Sequence, residues 1–340
     1  MNLPRKAFRL GQLLLGYKRR KIAGLAPPIR IWIESSSFCN FRCAMCHNAQ
    51  LPAEKKQHMS LDLFTRLIDE ARSFAADIYL HHRGEPLLNE HLCEMIAYAR
   101  NAGLRTRFHT NGSLLNKEKA AALLEAQPNL VSVSIDGFDK DAYEQIRHGG
   151  NFDTTVDNVL GLLSLRRERR LRTPYVVVER IRFRTPPPGE TPEKIAALRR
   201  RLLDAGLDEL IEKEEYVWAT QEAPEPHDAR AAAVCTFPWY ATVVCADGAV
   251  TPCPQDFFAA LTMGNINDAT LREIWNGPAY QDLRRRLCND LASLPLCRKC
   301  DRLCRKRVGG VPWQYLVTFL TDQFLGYGRL RRWIGTAERN

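Results

Sequence analysis

The chain has 340 residues, 45% hydrophobic and 26% charged, and a formal net charge of +10 at neutral pH. That length exceeds one average domain and can bury a sizeable core, and the balance is globular rather than disordered or fibrous. No run reaches the roughly 18 apolar residues of a transmembrane helix, and no apolar leader precedes the eleven cysteines, so we expect a cytoplasmic protein whose spaced Cys are metal ligands, not disulfides.

Residues 1–28 read as a basic amphipathic segment. Arg5, Lys6, Arg9, Lys18, Arg19, Arg20 and Lys21 occur there without an acid, and Ala7, Leu10, Leu14 and Tyr17 follow helical spacing. Residues 309–340 resemble it, with Arg329, Arg331, Arg332 and Arg339 against Asp322 and Glu338, and Trp313, Leu316, Phe319 and Leu320 at helical spacing. Two readings stand: helices packed on the body with solvated charges, or a basic surface making peripheral contact with a membrane or an anionic substrate.

Ile29 to Glu34 alternates and reads as a first strand. Cys39, Cys43 and Cys46 follow at spacing C-x3-C-x2-C. Soft thiolates suit an iron–sulfur cluster, and a tight loop can aim three sulfurs at three irons while the fourth iron stays open. Buried thiols brought together by chance are one alternative. A structural zinc is another, but it wants a fourth ligand close by, and His47 is too near Cys46 to fold back easily.

Ser60 caps a helix beginning at Leu61. Asp77 to His82 reads as a second strand and runs into Arg83-Gly84-Glu85-Pro86, where a carboxylate at a strand end can accept from an ammonium group or simply sit in a turn. Glu90 to Asn101 is helical and stops near Gly103. Arg105 to His109 forms a third strand before Thr110-Asn111-Gly112, and Asn116 caps the next helix. Val131 to Ile135 forms a fourth strand, ending at Asp136-Gly137, and a short helix carries Tyr143 to Arg147. A long helix from Phe152 to Arg167 buries Val156, Val159, Leu160 and Leu163. Tyr175 to Phe183 forms a fifth strand, Glu193 to Ala205 a helix, and Asp208 to Val217 a sixth strand. Such alternation implies a parallel sheet with right-handed crossovers, with ligands at the carboxyl ends of the strands. Pro224 to Asp228 reads as a linker, dividing 29–222 from a smaller domain, 223–308.

In that second part Tyr240–Cys245 and Ala249–Thr251 flank a hairpin turn at Ala246-Asp247-Gly248, which carries Cys253 back toward Cys235. Leu271–Trp275 and Tyr280–Leu287 are helical. Cys235, Cys253, Cys297 and Cys300 make a four-thiolate pattern for zinc or a closed iron–sulfur cluster, and spacing alone does not choose between them. Cys304 extends the last pair to C-x2-C-x3-C. Cys93, Cys245 and Cys288 read as core or surface thiols.

The first Cys motif, placed after a first strand, resembles the signature of the radical S-adenosylmethionine (SAM) superfamily. The later pattern resembles that family's SPASM/twitch extension: Cys235, Gly248 ahead of Cys253, Gly264-Asn-Ile and Leu271-Arg-Glu-Ile-Trp275. The resemblance implies an α/β fold, a partial (β/α)6 barrel with a small C-terminal α+β domain. It implies a [4Fe–4S] cluster on Cys39, Cys43 and Cys46, with SAM chelating the open iron and being cleaved reductively to a 5′-deoxyadenosyl radical. Met45 stands where the family usually has an aromatic residue, and its polarizable side chain can cover the adenine. Gly84, Glu85 and Pro86 would meet the SAM amino group, Ser134 and Asp136 its ribose, and Arg147 its carboxylate, although the last three also read as turn formers or a solvated face. Cys235, Cys253, Cys297 and Cys300 would hold an auxiliary [4Fe–4S] cluster, with spacing like that of a family member that oxidises an aminocyclitol alcohol.

The expected activity is therefore oxidation of a sugar, cyclitol or lipid-linked small molecule. The auxiliary cluster would accept an electron, and a flavodoxin- or ferredoxin-type donor would supply the first one. Peptide epimerisation or crosslinking is a second reading, and a non-catalytic zinc or iron–sulfur module a third. No nucleic-acid-binding motif is present, so no nucleic-acid partner is expected. No catalytic base stands out among Glu179, His81, His82 and His109.

Overall fold

The structure, a computed structural model, describes residues 3–185, 187–215, 234–304, 307–308 and 311–312. The linker reading at Pro224 to Asp228 and most of the basic C-terminal segment lie outside them, as does the side chain of Cys304.

Local sequence signals become elements where expected. After helix α1 (Leu3–Lys18) the chain forms β1 (Arg30–Ile33), α2 (Leu61–Ala71), β2 (Asp77–Tyr79), α3 (Leu92–Asn101), β3 (Arg105–Thr110), α4 (Lys117–Ala126) and β4 (Leu130–Ser134). Next come α5 (Lys140–Ile146), α6 (Phe152–Glu168), β5 (Tyr175–Arg182), α7 (Pro192–Asp204) and β6 (Glu209–Glu214). The Ser60 hydroxyl accepts from Leu63 N and the Asn116 side chain from Lys119 N, so both caps satisfy orphan amides. Helix α2 buries Leu63, Phe64, Leu67 and Ile68 along one stripe. In α6, Val156, Val159 and Leu163 are buried as expected, but Leu162 rather than Leu160 completes the face.

β1 to β6 pair in parallel, each beside its chain neighbour, giving the six-stranded partial barrel. β2 ends at Tyr79, so His81 and His82 lie in the loop at its carboxyl end. The second part contains α8 (Phe237–Tyr240), β7 (Ala241–Val244), β8 (Ala249–Thr251), β9 (Gly264–Asn265), α9 (Leu271–Trp275), α10 (Pro278–Asn289) and α11 (Pro295–Arg298). β7 pairs in parallel with β1, placing Thr242 opposite Ile31, and β8 and β9 continue antiparallel. The second part therefore extends the barrel sheet into nine strands, order β6-β5-β4-β3-β2-β1-β7-β8-β9. An open barrel leaves β1 with unpaired backbone groups on one side, and β7 satisfies them.

Helix α1 packs at the barrel base, but not with the face expected. Leu13 and Tyr17 are buried, whereas Ala7 and Leu14 point outward. Leu13 joins Ile29 and Ala76, which precede β1 and β2, and the Tyr17 hydroxyl donates to the Val234 carbonyl at 2.9 Å. Leucines at 10, 13, 14 and 15 surround the helix, so the partner surface, not periodicity, selects the buried stripe. Phe8, Leu14 and Leu15 stay exposed. Among the described residues no helix is long and apolar enough to cross a membrane.

Low in the barrel, Asp77 is fully buried between Arg30 and Arg105, with ion pairs of 3.0 and 2.6 Å. Burial opposes ionisation, but Arg105 and Arg30 outweigh it and hold the carboxyl well below the usual range.

Candidate active site

The Cys39–Cys46 loop leaves β1 and is tied down from three sides. Arg42 N donates to the His148 carbonyl and Ala44 N to the Ile146 carbonyl, both at 2.8 Å, so the end of α5 and the residues just after it bracket Cys43. The buried Asn48 side chain donates to the carbonyls of Ser37 (2.8 Å) and Arg83 (2.7 Å), joining the loop to the end of β2. The Asn111 side chain, after β3, donates to Asn40 Oδ1 at 2.9 Å. Phe41 N and Asn48 N donate to the sulfurs of Cys39 and Cys46 at 3.4 and 3.5 Å. Asn48 escaped the sequence reading, and Asn111 was legible only as part of a turn, because an Asn in a loop carries no signal of what it ties.

The expected SAM-contacting residues gather around this loop. Gly84 has a steric reason to be glycine: a Cβ there would lie 2.3 Å from the Ser36 carbonyl oxygen and 2.4 Å from that of Phe38. Close approach of the two backbones lets Glu85 N donate to the Phe38 carbonyl at 2.8 Å. Glu85 is buried, and its carboxylate accepts from Leu87 N (3.0 Å), the Thr110 hydroxyl (2.7 Å) and Asn111 N (2.7 Å). Burial pushes its pKa up against those three donors. Three of about four lone-pair positions are thus occupied, leaving capacity for one further donor. Pro86 opens the short turn that follows. Met45 is half-buried in the Cys loop, and Ser134 ends β4 opposite Glu179. Asp136 and Arg147 find each other: Arg147 Nε donates to Asp136 Oδ2 at 2.9 Å and Nη2 to the same oxygen, while Asp136 Oδ1 accepts from Ile181 N at 2.9 Å.

Above the base, the barrel wall is aromatic and cationic. Trp32 stacks on Tyr79 at 4.3 Å, and the Arg107 guanidinium lies 4.4 Å from the Tyr79 ring. At the mouth the imidazoles of His81 and His109 are 4.1 Å apart. His109 Nδ1 lies 3.4 Å from Glu179 Oε2, and Lys213 bonds the same carboxylate. Burial lowers His109 to about 4. Burial works the other way on Glu179, but His109 and Lys213 hold it down to about 2. His109 is therefore neutral and Glu179 charged near pH 7. His81 Nδ1 and His82 Nε2 are buried with no hydrogen-bond partner among the described residues.

In the second part, burial raises Cys235, Cys253 and Cys297, Cys253 to about 12, and each also feels the charge of other thiols in the set. Cys235 responds to Cys253 and Cys300, and Cys297 to all three others, so the four are neighbours in space. Cys245 is buried in the core, and Cys93 and Cys288 are half-buried. Asp256 accepts from Ala260 N and Leu261 N, both at 2.8 Å, and closes the loop after Cys253. That loop sends Phe257 to 6.0 Å and Phe258 to 5.8 Å from the His47 ring, beside Cys46.

Both thiol sets fit iron–sulfur clusters. Cys39 rises to about 12, first through burial and then through Glu85, Cys43 and Cys46. Buried thiols crowded in this way need a compensating cation to ionise, and iron supplies it.

Comparison with known proteins agrees. Residues 33–202 match the model of the radical SAM superfamily, and residues 235–301 match an iron–sulfur cluster-binding domain. The chain is 34% identical over 110 residues to the Fe-coproporphyrin III synthase of Methanosarcina barkeri, covering 32% of this chain and 27% of that protein. It is 28% identical over 184 residues to a tungsten-containing aldehyde ferredoxin oxidoreductase cofactor-modifying protein of Pyrococcus furiosus, covering 53% of this chain and 50% of that one. The matched stretches thus span half or less of these relatives. Among solved structures, BtrN in complex with AdoMet and 2-DOIA superposes with a TM-score of 0.55 at 19% identity, over 82% of this chain and 96% of BtrN. Streptococcus suis SuiB bound to precursor peptide SuiA gives 0.60 at 13% identity, over 92% and 80%. These likenesses are of fold. The matched domains decide for iron–sulfur over zinc, and the chain belongs to the radical SAM superfamily, with S-adenosylmethionine and a [4Fe–4S] cluster as cofactors of its barrel and an auxiliary iron–sulfur cluster in the domain beside it.

Proposed function

We propose that the protein dehydrogenates an alcohol carbon of a hydroxyl-bearing small molecule, a sugar, cyclitol or lipid-linked compound, with the auxiliary cluster as electron acceptor. The observation that carries this reading is the gathering of Cys235, Cys253, Cys297 and Cys300. Four thiolates close a cubane and leave no open iron to hold substrate, which suits electron transfer. Bound to Cys39, Cys43 and Cys46 and to the second set, the cofactors supply a hydrogen-abstracting radical and an acceptor for one electron. A flavodoxin- or ferredoxin-type protein would provide the initiating electron.

The barrel mouth supplies the rest. Turning H–C–OH into a ketone removes a hydrogen atom, an electron and a proton. With a proton on Nδ1 facing Glu179, His109 would take the hydroxyl proton at Nε2, and Glu179 would stabilise the imidazolium. His81 Nδ1 and His82 Nε2 would bond further hydroxyls of the substrate.

The test is a Cys235→Ala/Cys253→Ala variant assayed with a panel of carbon-deuterated polyols and aminocyclitols. SAM cleavage should continue and deuterium should reach 5′-deoxyadenosine, while ketone formation falls at least 100-fold. Ketone at the wild-type rate overturns the electron-acceptor role. Deuterium arriving only from a peptide overturns the substrate class.

Helix α1, with Phe8, Leu14 and Leu15 exposed beside basic residues, would also lie against an anionic bilayer. Flotation with phosphatidylglycerol vesicles should be lost in Phe8→Asp/Leu15→Asp, and equal flotation of both proteins removes this contact.

A further inference from the structure

Arg147 is placed to act on Cys43 rather than to wait for a ligand. Its guanidinium is buried, and two of its nitrogens are committed to Asp136. The third, Nη1, donates to Cys43 Sγ at 3.9 Å. Neither end of this arrangement is free to drift. Asp136 is anchored by Ile181 N on β5. The backbone on either side of Arg147 is bonded to Arg42 and Ala44, on either side of Cys43. The Nε/Nη2 edge, which a bidentate carboxylate clamp would use, is already filled.

We propose that Arg147 sets the reduction potential of the cluster held by Cys39, Cys43 and Cys46, and that Asp136 positions it and partly cancels its charge. Reduction adds one negative charge to the cluster. A cation and a hydrogen bond at a ligating sulfur stabilise the reduced state and raise the potential. The Asp136 carboxylate opposes this from behind. The two residues therefore act with opposite signs, which a purely structural role would not produce. The inference rests on the placement of the cluster on these three Cys, and the experiment separates the two claims.

The full-length chain is reconstituted with iron and sulfide under anaerobic conditions. The cluster is identified as the paramagnetic signal that SAM perturbs, and its midpoint is then recorded without SAM by redox titration. In Arg147→Gln the one-electron reduction equilibrium should move at least tenfold toward the oxidised form, about 59 mV down. Arg147→Lys keeps the charge but loses the fork, and should fall between. Asp136→Asn should move the midpoint up. Unmoved midpoints, or Arg147→Lys and Asp136→Asn shifting in the same direction, overturn the proposal. Absence of any SAM-responsive signal in the unaltered protein would instead overturn the cluster's placement. Arg147→Lys carries the test if Arg147→Gln fails to take up iron.

Discussion

Replacing Cys39, Cys43 and Cys46 together by alanine should remove about four of roughly eight irons per chain and abolish 5′-deoxyadenosine formation. The fold should survive, because the loop is held by groups other than its sulfurs. Asn48 bonds the carbonyls of Ser37 and Arg83, Asn40 bonds Asn111, and the backbone of Arg42 and Ala44 bonds the end of α5 and the residues just after it. Far-ultraviolet circular dichroism should thus match the unaltered protein, while iron analysis and chromatography of the SAM products change. Persistent 5′-deoxyadenosine production would falsify the assignment of this loop as the cluster site.

Arg83→Met should destabilise the protein by about 3–5 kcal/mol, a large part of the roughly 5–15 kcal/mol that holds a domain together. Arg83 pairs through Nε and Nη2 with both oxygens of Glu34, and both side chains are nearly inaccessible. Glu34 Oε2 also accepts from Ala246 N at 2.9 Å, at the turn between β7 and β8. One carboxylate thereby joins the end of β1, the Arg83-Gly84-Glu85-Pro86 loop and the second domain. Removing the guanidinium leaves that charge buried with a single amide donor, and the lost partner costs more than the pair itself contributes. The double change Glu34→Leu/Arg83→Met should recover much of the loss. Urea unfolding and hydrogen exchange at Ala246 to Gly248 check both statements. A change below about 1 kcal/mol would mean that water reaches the pair.

The contacts of Phe257 and Phe258 with His47 give the two thiol sets a direct physical connection. The loop that follows Cys253 rests on the residue next to Cys46, and Phe257 also lies 6.1 Å from His82 at the barrel mouth. A shift of the second domain would thus be felt at both places.

Much of this was legible beforehand. The six βα units followed from apolar alternation, helix caps and turn residues, all of which act within a few positions. The first candidate cluster site is legible for the same reason: three thiols in one loop need no tertiary contact to be recognised. The second set was harder to assign, because its members come together only when the hairpin and α11 are packed. The resemblance assigns Asp136 and Arg147 to SAM, and in the structure they bind each other. Neither residue's spacing could have announced that.

The amino-acid order alone determined which thiols are available as ligands, how many βα units form and which loops end the strands, because short-range geometry governs each of these. Tertiary structure alone decided that β7 completes β1, that α1 turns Leu13 rather than Leu14 inward, and that His109 meets both His81 and Glu179 at the barrel mouth. Parallel pairing makes neighbours of residues a whole helix apart in the chain. Periodicity says which face a side chain takes, but only the register between strands says what stands beside it.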